Sequence, residues 1–258
     1  MKKYVSNFAK YRFLLVELVK KGITLKYRRS YLGILWTLVE PLLTMIVLTI
    51  VFGTLMGNTD KTFPVYILSG RLMYSYFANS TKVAMKSIRT NSSMIKKVYV
   101  PKYMYPLSSI LSDYITFLIS LVVLVLVAAV LQVKPTFYLI QAVVPLLLLP
   151  IMCYGLGLIL ATLSVFFRDL EYIWSVALML IMYTSAIFYE PEKIIKGGYG
   201  WLLEINPLYS VVCNFRNAIY GQVLDQRALI LSLVYSFGFL LIGIFMFYKK
   251  QDEFILHV

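Results

Sequence analysis

KYRRSYLGILWTLVEPLLTMIVLTIVFGTLMG, residues Lys26–Gly57, passes from a cationic patch to a membrane-length apolar segment within a few residues. Lys26, Arg28 and Arg29 stand at its start, and from Leu35 to Met56 the one formal charge is Glu40. About twenty mainly apolar residues, each rising ~1.5 Å, span a ~30 Å hydrocarbon core. Cations stay with the cytoplasmic headgroups, so this first crossing is expected to run from inside to outside. Pro41 lies in its first turns. A proline there frees a backbone carbonyl, which only protein or water can satisfy at that depth.

The rest of the chain has the same character. Its 258 residues are 60% hydrophobic and 14% charged, too apolar for an ordinary soluble domain. The charges cluster between apolar runs, so residues 1–258 read as a single all-α polytopic membrane domain. The net charge of +13 does not point to nucleic acid, because most cations fall in segments expected to be cytoplasmic and juxtamembrane. Cys153 and Cys213 form no CxxC pair and read as small buried hydrophobes. No cleavable signal peptide is expected, since the N-terminus is repeatedly interrupted by charge.

Residues 1–33 form a cytoplasmic segment, 35–248 a six-span core and 249–258 a cytoplasmic tail. From Phe8 to Leu25 the apolar positions Phe8, Tyr11, Leu14, Leu15, Leu18 and Val19 recur at helical spacing among Lys10, Arg12, Lys20 and Lys21. That pattern predicts an amphipathic helix lying along the inner leaflet. The second span, Phe63 to Val83, carries Ser69, Gly70, Arg71, Ser75 and Asn79, and is too polar to face lipid all round. Between Lys82 and Pro106 six cations and no acid mark a cytoplasmic loop, with a short helical pattern over Ser87–Val100 suited to docking on a soluble partner. A third span runs from Leu107 to Leu131. A fourth covers Phe137 to Phe167, with Pro145 and Pro150 as kinks and Gly155 and Gly157 allowing close helix approach. Phe167–Glu171 is a tight inner turn, and the fifth span, Tyr172 to Phe188, is short. Tyr189 to Arg227 reads as two short re-entrant helices in the outer leaflet, divided at Asn206-Pro207. The sixth span, Ala228 to Tyr248, ends at Lys249-Lys250. This topology puts eighteen cations inside and six outside, with both termini cytoplasmic.

Enzyme signatures are missing. There is no GxxxxGK[ST] phosphate loop and no HExxH, and His257 is the only histidine. Three constellations remain. Lys26, Arg28 and Arg29 at the inner interface could hold a lipid phosphate, or could simply be positive-inside anchors. The 21 tyrosines and 16 phenylalanines offer flat apolar faces and hydroxyls suited to sugars, as well as to interfacial belts and packing. Tyr74, Tyr76 and Phe77 on the second span and Tyr183, Phe188 and Tyr189 on the fifth are the candidates. Glu40, Arg71 and Asp113 are charges inside spans, where a pairing or functional role is the default. Glu40 and Asp113 fall near the inner side and Arg71 nearer the outer, which argues against a simple Glu40–Arg71 pair.

Tyr27-Arg28-Arg29-Ser30-x-Leu32-Gly33-x-Leu35-Trp36, Pro41-Leu42 and Val51-Phe52-Gly53 resemble the first transmembrane region of ABC-2 type permeases, more narrowly the polysaccharide, O-antigen and teichoic-acid exporters. Lys97–Pro106, Phe167-Arg168-Asp169-Leu170, and Glu204-x-Asn206-Pro207-Leu208 with Arg216 extend the resemblance over nearly the whole chain. Arg71 departs from it, standing after Ser-Gly where an apolar or small residue is expected. The resemblance implies a homodimer of six-span subunits docked on two separate ABC ATPase subunits, which carry the ATP and Mg, with no cofactor on this chain. The implied cargo is a glycan or teichoic-acid polymer on an undecaprenyl diphosphate-type lipid in the bacterial inner membrane. The first and fifth spans would line the path, with Trp36, Glu40, Arg71 and the six aromatics as its residues. Ser87, Ile88, Met94, Ile95, Lys96, Lys97 and Val98 would make the main coupling helix, with Arg168 and Asp169 in the smaller one. Export of a small molecule, or ion-coupled transport without an ATPase, are the alternative readings.

Overall fold

The computed structural model describes residues 2–28, 30–57, 60–97 and 100–254, which contain helices and no strand. The order is α1 Lys2–Tyr27, α2 Trp36–Met56, α3 Phe63–Thr90, α4 Ser92–Lys97, α5 Met104–Val130, α6 Val143–Phe166, α7 Leu170–Thr184, α8 Pro191–Lys196, α9 Trp201–Ile205, α10 Pro207–Ile219 and α11 Gln226–Lys250. Short 3-10 turns, Gly33–Leu35 and Phe137–Ala142, lead into α2 and α6. By length and composition four stretches qualify as membrane spans: Gly33–Leu55, Met104–Val130, Phe137–Phe166 and Gln226–Lys250. Of the other two expected spans, α3 is long but polar. The 15 residues of α7 reach only ~22 Å at the helical rise, short of a ~30 Å core.

Helix α6 is central. It packs most extensively on α11 and also on α3, while α3 packs on α5. Gly155 allows the α6–α11 approach, because a Cβ there would land on the backbone of Phe239 and Leu240. At Gly157 a Cβ would come within 2.9 Å of both Ala84 Cβ and Ile110 Cδ1. Both glycines therefore do what their positions predict.

Two prolines sit inside helices, Pro41 in α2 and Pro150 in α6. Each lacks the N–H that would bond the carbonyl four residues earlier, that of Thr37 and of Leu146. Helix α5 supplies both substitutes: Ser120 Oγ lies 2.9 Å from the Thr37 carbonyl, and Tyr114 donates to the Leu146 carbonyl at 3.0 Å. Ser120→Ala and Tyr114→Phe should each cost about 1 kcal/mol. Thermal unfolding in detergent measures this. Midpoints unchanged in both variants would show that the freed carbonyls find other donors.

Helix α1 extends beyond the expected Phe8–Leu25 stripe. It docks along α5, where Ser112 Oγ lies 3.2 Å from the Val19 carbonyl. Leu15 joins a cluster with Ile88, Met104, Tyr105, Phe247 and Phe254 at the end of the molecule where α1, α4 and the chain's last helix meet.

Two element boundaries correct the sequence reading. The helix expected over Ser87–Val100 is split. Nothing breaks α3 before Thr90, and Asn91 then ends it, its side-chain amide donating to the Ser87 carbonyl at 2.8 Å. Tyr189–Arg227 holds three short helices rather than two, because Pro191 starts α8 and Gly197-Gly198 ends it, Gly198 at φ +80°. Asn206-Pro207 does divide the region as expected. Asn206 Oδ1 caps α10 by accepting from Leu208 N at 3.0 Å, and its amide reaches Ile181 O, Thr184 Oγ1 and Ser185 Oγ at the end of α7.

Candidate functional site

Helices α2, α3 and α5, closed below by the end of α1, surround a polar cavity of about 330 Å³. The three charges expected inside spans all reach it: Glu40 from α2, Arg71 from α3 and Asp113 from α5. Residues from three different helices, far apart in the chain, thus share one space. No Glu40–Arg71 ion pair forms, in keeping with the sequence. Instead Asp113 pairs with Lys26 at the end of α1, 3.2 Å away. The Arg71 guanidinium lies 5.6 Å from the centre of the Tyr74 ring.

Trp36, the first residue of α2, is 41% exposed and lines the cavity with Tyr76 and Phe117, whose rings stack at 5.1 Å. The other aromatic candidates do not reach it. Tyr74 is buried and donates to the Leu178 carbonyl of α7 at 3.1 Å. Phe77 is fully buried against Trp174, at 6.3 Å between ring centres, so it is a core residue here and not a wall of the cavity. Phe188 is buried and stacks on Phe52 at 4.6 Å. Tyr189 donates to the Tyr183 carbonyl, and the exposed Tyr183 ring tilts over Phe188.

Of the interface cations, Lys26 lines both this cavity and another, basic one that includes Arg28 and Ser30. Arg29 lies outside the described residues.

Among the expected coupling residues, Ser87 and Ile88 are buried at the end of α3 and are not offered to a partner. Met94 and Ile95 on α4 turn inward to the terminal cluster, while Lys96 and Lys97 are exposed. Val98 lies outside the described residues. Arg168 and Asp169 are exposed in the turn before α7. Close by, Glu171 accepts from both Arg89 and Lys86, the latter at 2.6 Å, and so ties the end of α3 to the start of α7. Lys102, between α4 and α5, donates to the Gln251 carbonyl, and partial burial lowers its pKa from the ordinary lysine value.

Sequence reasoning missed Glu171 as a bridge, because in the chain it is simply one more charge in a turn. It also gave Arg216 no role of its own. Arg216 is buried without a carboxylate, donating to Ala186 O at 2.8 Å, Tyr66 O at 2.9 Å and Ile187 O at 3.2 Å. Among the described residues no group of three His, Cys, Asp or Glu side chains could hold a metal.

The family model for the ABC-2 type transporter matches residues 14–220, most of the chain and all of the cavity's walls. The chain belongs to the ABC-2 type transporter family. Three relatives are similar to the chain over more than nine-tenths of their lengths. The chain is 28% identical over 245 residues to the O-antigen export system permease protein RfbA of Klebsiella pneumoniae, covering 93% of each. It is 27% identical over 256 residues to the protein of the same name from Myxococcus xanthus, covering 98% of each. With the polysialic acid transport protein KpsM of Escherichia coli the identity is 25% over 258 residues, 96% of this chain and 97% of that one.

Proposed function

We propose that this chain is the transmembrane subunit of an ATP-driven ABC exporter that moves a lipid-linked polysaccharide from the cytoplasmic side across a bacterial inner membrane. The observation that carries the reading is end-to-end similarity to O-antigen export permeases. The chain supplies the path and is not an enzyme. ATP and Mg are bound by two separate ATPase subunits.

Two copies form the working unit. Helices α2 and α7 leave apolar faces uncovered, Leu43, Val47 and Ile50 on one and Ile173, Val176 and Leu180 on the other, all more than half exposed. A second protomer would cover these faces and set the aromatic ends of α2 and α7, with Trp36 and Tyr183, along a path between the copies. Lys26, Arg28 and Arg29 would meet the diphosphate of an undecaprenyl-type carrier as it enters. By the positive-inside bias, α4, the Phe167–Glu171 turn and both termini would lie in the cytoplasm. There Lys96 and Lys97 dock the ATPase, and Arg168 and Asp169 make a smaller contact. Closure of the ATPase pushes on α4 and hence on α3, which carries Arg71 and Tyr76. The Glu171 bridge passes the same movement to α7.

Replacing Lys96 and Lys97 together by Glu tests this. The variant should insert normally but lose co-purification of the ATPase and export of glycan by more than about tenfold, since like-charge contacts at a docking rim cost several kcal/mol. Undiminished ATPase binding and export would overturn the docking assignment.

A further inference from the structure

The α5 stretch Leu121–Leu131, LVVLVLVAAVL, is apolar throughout but drops in size at Ala128 and Ala129. Beside these alanines lies an apolar cavity of about 360 Å³, separate from the polar one. Its floor is the buried Leu124 of α5, Ala142 just before α6, and Phe215 and Ile219 of α10. Its lip is open, with Val125 66% and Val143 53% exposed. Both valines belong to membrane-length spans, so the opening faces hydrocarbon and not water. No residue of α2 or α7 lines it, which sets it apart from the faces offered to a second protomer.

The single charge in the lining is Lys134, and local structure fixes where it stands. Helix α5 ends in a left-handed residue, Gln132, at φ +57°. The Gln132 N–H donates to the Ala129 carbonyl at 3.2 Å and the Val133 N–H to the Ala128 carbonyl at 2.9 Å, the paired bonds of a Schellman cap. The cap folds Val133 back beside Ala128 in the cavity wall, with Lys134 next in the chain at the end of the span. Lys134 is exposed, and its ammonium has no ion-pair or hydrogen-bond partner among the described residues. Water finds too few polar partners to fill so apolar a space, and an empty one forfeits the dispersion contacts of its walls. The bilayer supplies hydrocarbon to fill it. A cation at the end of an apolar slot adds a demand for negative charge on the head of the same molecule. A zwitterionic head would bring a cation of its own towards Lys134.

We propose that this cavity holds an acyl chain of one anionic phospholipid, whose phosphate sits at Lys134. By the positive-inside bias the site would lie in the outer leaflet. The lipid fills the wedge between α5, α6 and α10 and so helps to hold α10 in place. The inference needs only that α5 and α6 cross the membrane, and stands whatever cargo the chain carries.

Full-length protein is reconstituted in vesicles of equal parts phosphatidylglycerol and phosphatidylcholine and extracted in mild detergent. The lipid it retains is then counted by native mass spectrometry. The wild type should retain phosphatidylglycerol about fivefold over phosphatidylcholine, the worth of one lysine near an anionic head. Lys134→Gln should keep bound lipid but lose the preference. Ala129→Phe, which fills the slot, should lower total retention about tenfold. Both positions are exposed, so both variants should match the wild-type thermal midpoint in lipid-free detergent. Added phosphatidylglycerol should raise the midpoint of the wild type and not that of Ala129→Phe. If Ala129→Phe is not recovered folded, Lys134→Gln decides alone. No lipid retained by the wild type, retention unaltered by Ala129→Phe, or a preference that survives Lys134→Gln would each overturn the proposal. So would displacement of the phospholipid by an equal concentration of polyprenyl phosphate, which would make this a place for a cargo carrier. Loss of a protomer pair in Ala129→Phe would overturn it too, by making the cavity a contact between copies. None of these readouts involves export, so this site and the exporter reading fall separately.

Discussion

Gly155→Val is expected to abolish folded protein in the membrane. The hydrogen that serves as a side chain at Gly155 faces the backbone of Phe239 and Leu240, and across the contact Gly243 faces the Gly155 carbonyl in the same way. The α6–α11 pair is thus built backbone to backbone, as small residues allow between membrane helices. A Cβ at either position meets main-chain atoms, which have no rotamer to turn. The two helices must separate, and α6 holds the centre of the fold. Forcing even single methylenes into a packed core costs about 1–3 kcal/mol. Here the cost should exceed that range, because the whole length of the contact is lost. Size-exclusion profiles of detergent extracts carrying a fluorescent tag would show aggregate in place of a sharp peak. Gly238→Ala is the control. It lies on the same α11, where an added methyl would meet nothing within 4 Å, and should be silent. A monodisperse Gly155→Val protein with the wild-type midpoint would show that the helices can slide apart at little cost.

The sequence makes the apolar frame legible and leaves the polar joints hidden, for a physical reason. Membrane-length runs such as Leu35–Met56 announce themselves, because a lipid core selects for apolarity residue by residue. Pro41 even announces that one carbonyl must find a donor. What it cannot name is Ser120, 83 positions from Thr37, since nothing local in α5 distinguishes that serine from Ser108 or Ser112. The cavity shows the same division. Glu40, Arg71 and Asp113 stand out because charge in a span is costly. That they share one space depends on how α2, α3 and α5 pack on one another, which no local pattern in the chain reveals. Phe77 could not be told from Tyr76 by type or position alone. They are neighbours on a helix about 100° apart, so one faces α5 and the cavity while the other faces Trp174. The coupling region erred at Ser87 and Ile88 because a helical pattern continues through them. Only the Asn91 side chain, folding back on Ser87, marks where α3 stops.

Arg216→Met should cost roughly 3 kcal/mol and disconnect α10 from α3 and from the end of α7. The guanidinium holds together three segments far apart in the chain. From α10 it reaches the Tyr66 carbonyl of α3 and the Ala186 and Ile187 carbonyls just after α7. Its flat face lies 3.4 Å from the centre of the Tyr66 ring, and the Tyr66 hydroxyl in turn sits 2.9 Å from the Ala186 carbonyl. Ala186 has φ +49°, a left-handed conformation that a non-glycine residue holds only when its surroundings insist on it. Here the insistence comes from Arg216, which donates to the carbonyls of both Ala186 and Ile187. Methionine would fill the volume but leave those carbonyls unpaired. Lysine would keep the charge but, as a single point donor, could not span all three, so Arg216→Lys should rescue little. Gly70 provides an independent approach to the same joint, since a Cβ there would lie 2.5 Å from Arg216 Nη2. Gly70→Ala should therefore push the guanidinium out of its cradle and reproduce part of the Arg216→Met defect. Two variants that act through one group do not add. The double variant should be little worse than Arg216→Met alone, both in thermal midpoint and in protease sensitivity of the Tyr189–Arg227 region. Full additivity would mean that Gly70 and Arg216 stabilise the protein separately, and that the α10 helix is held by its apolar face and not by this cation.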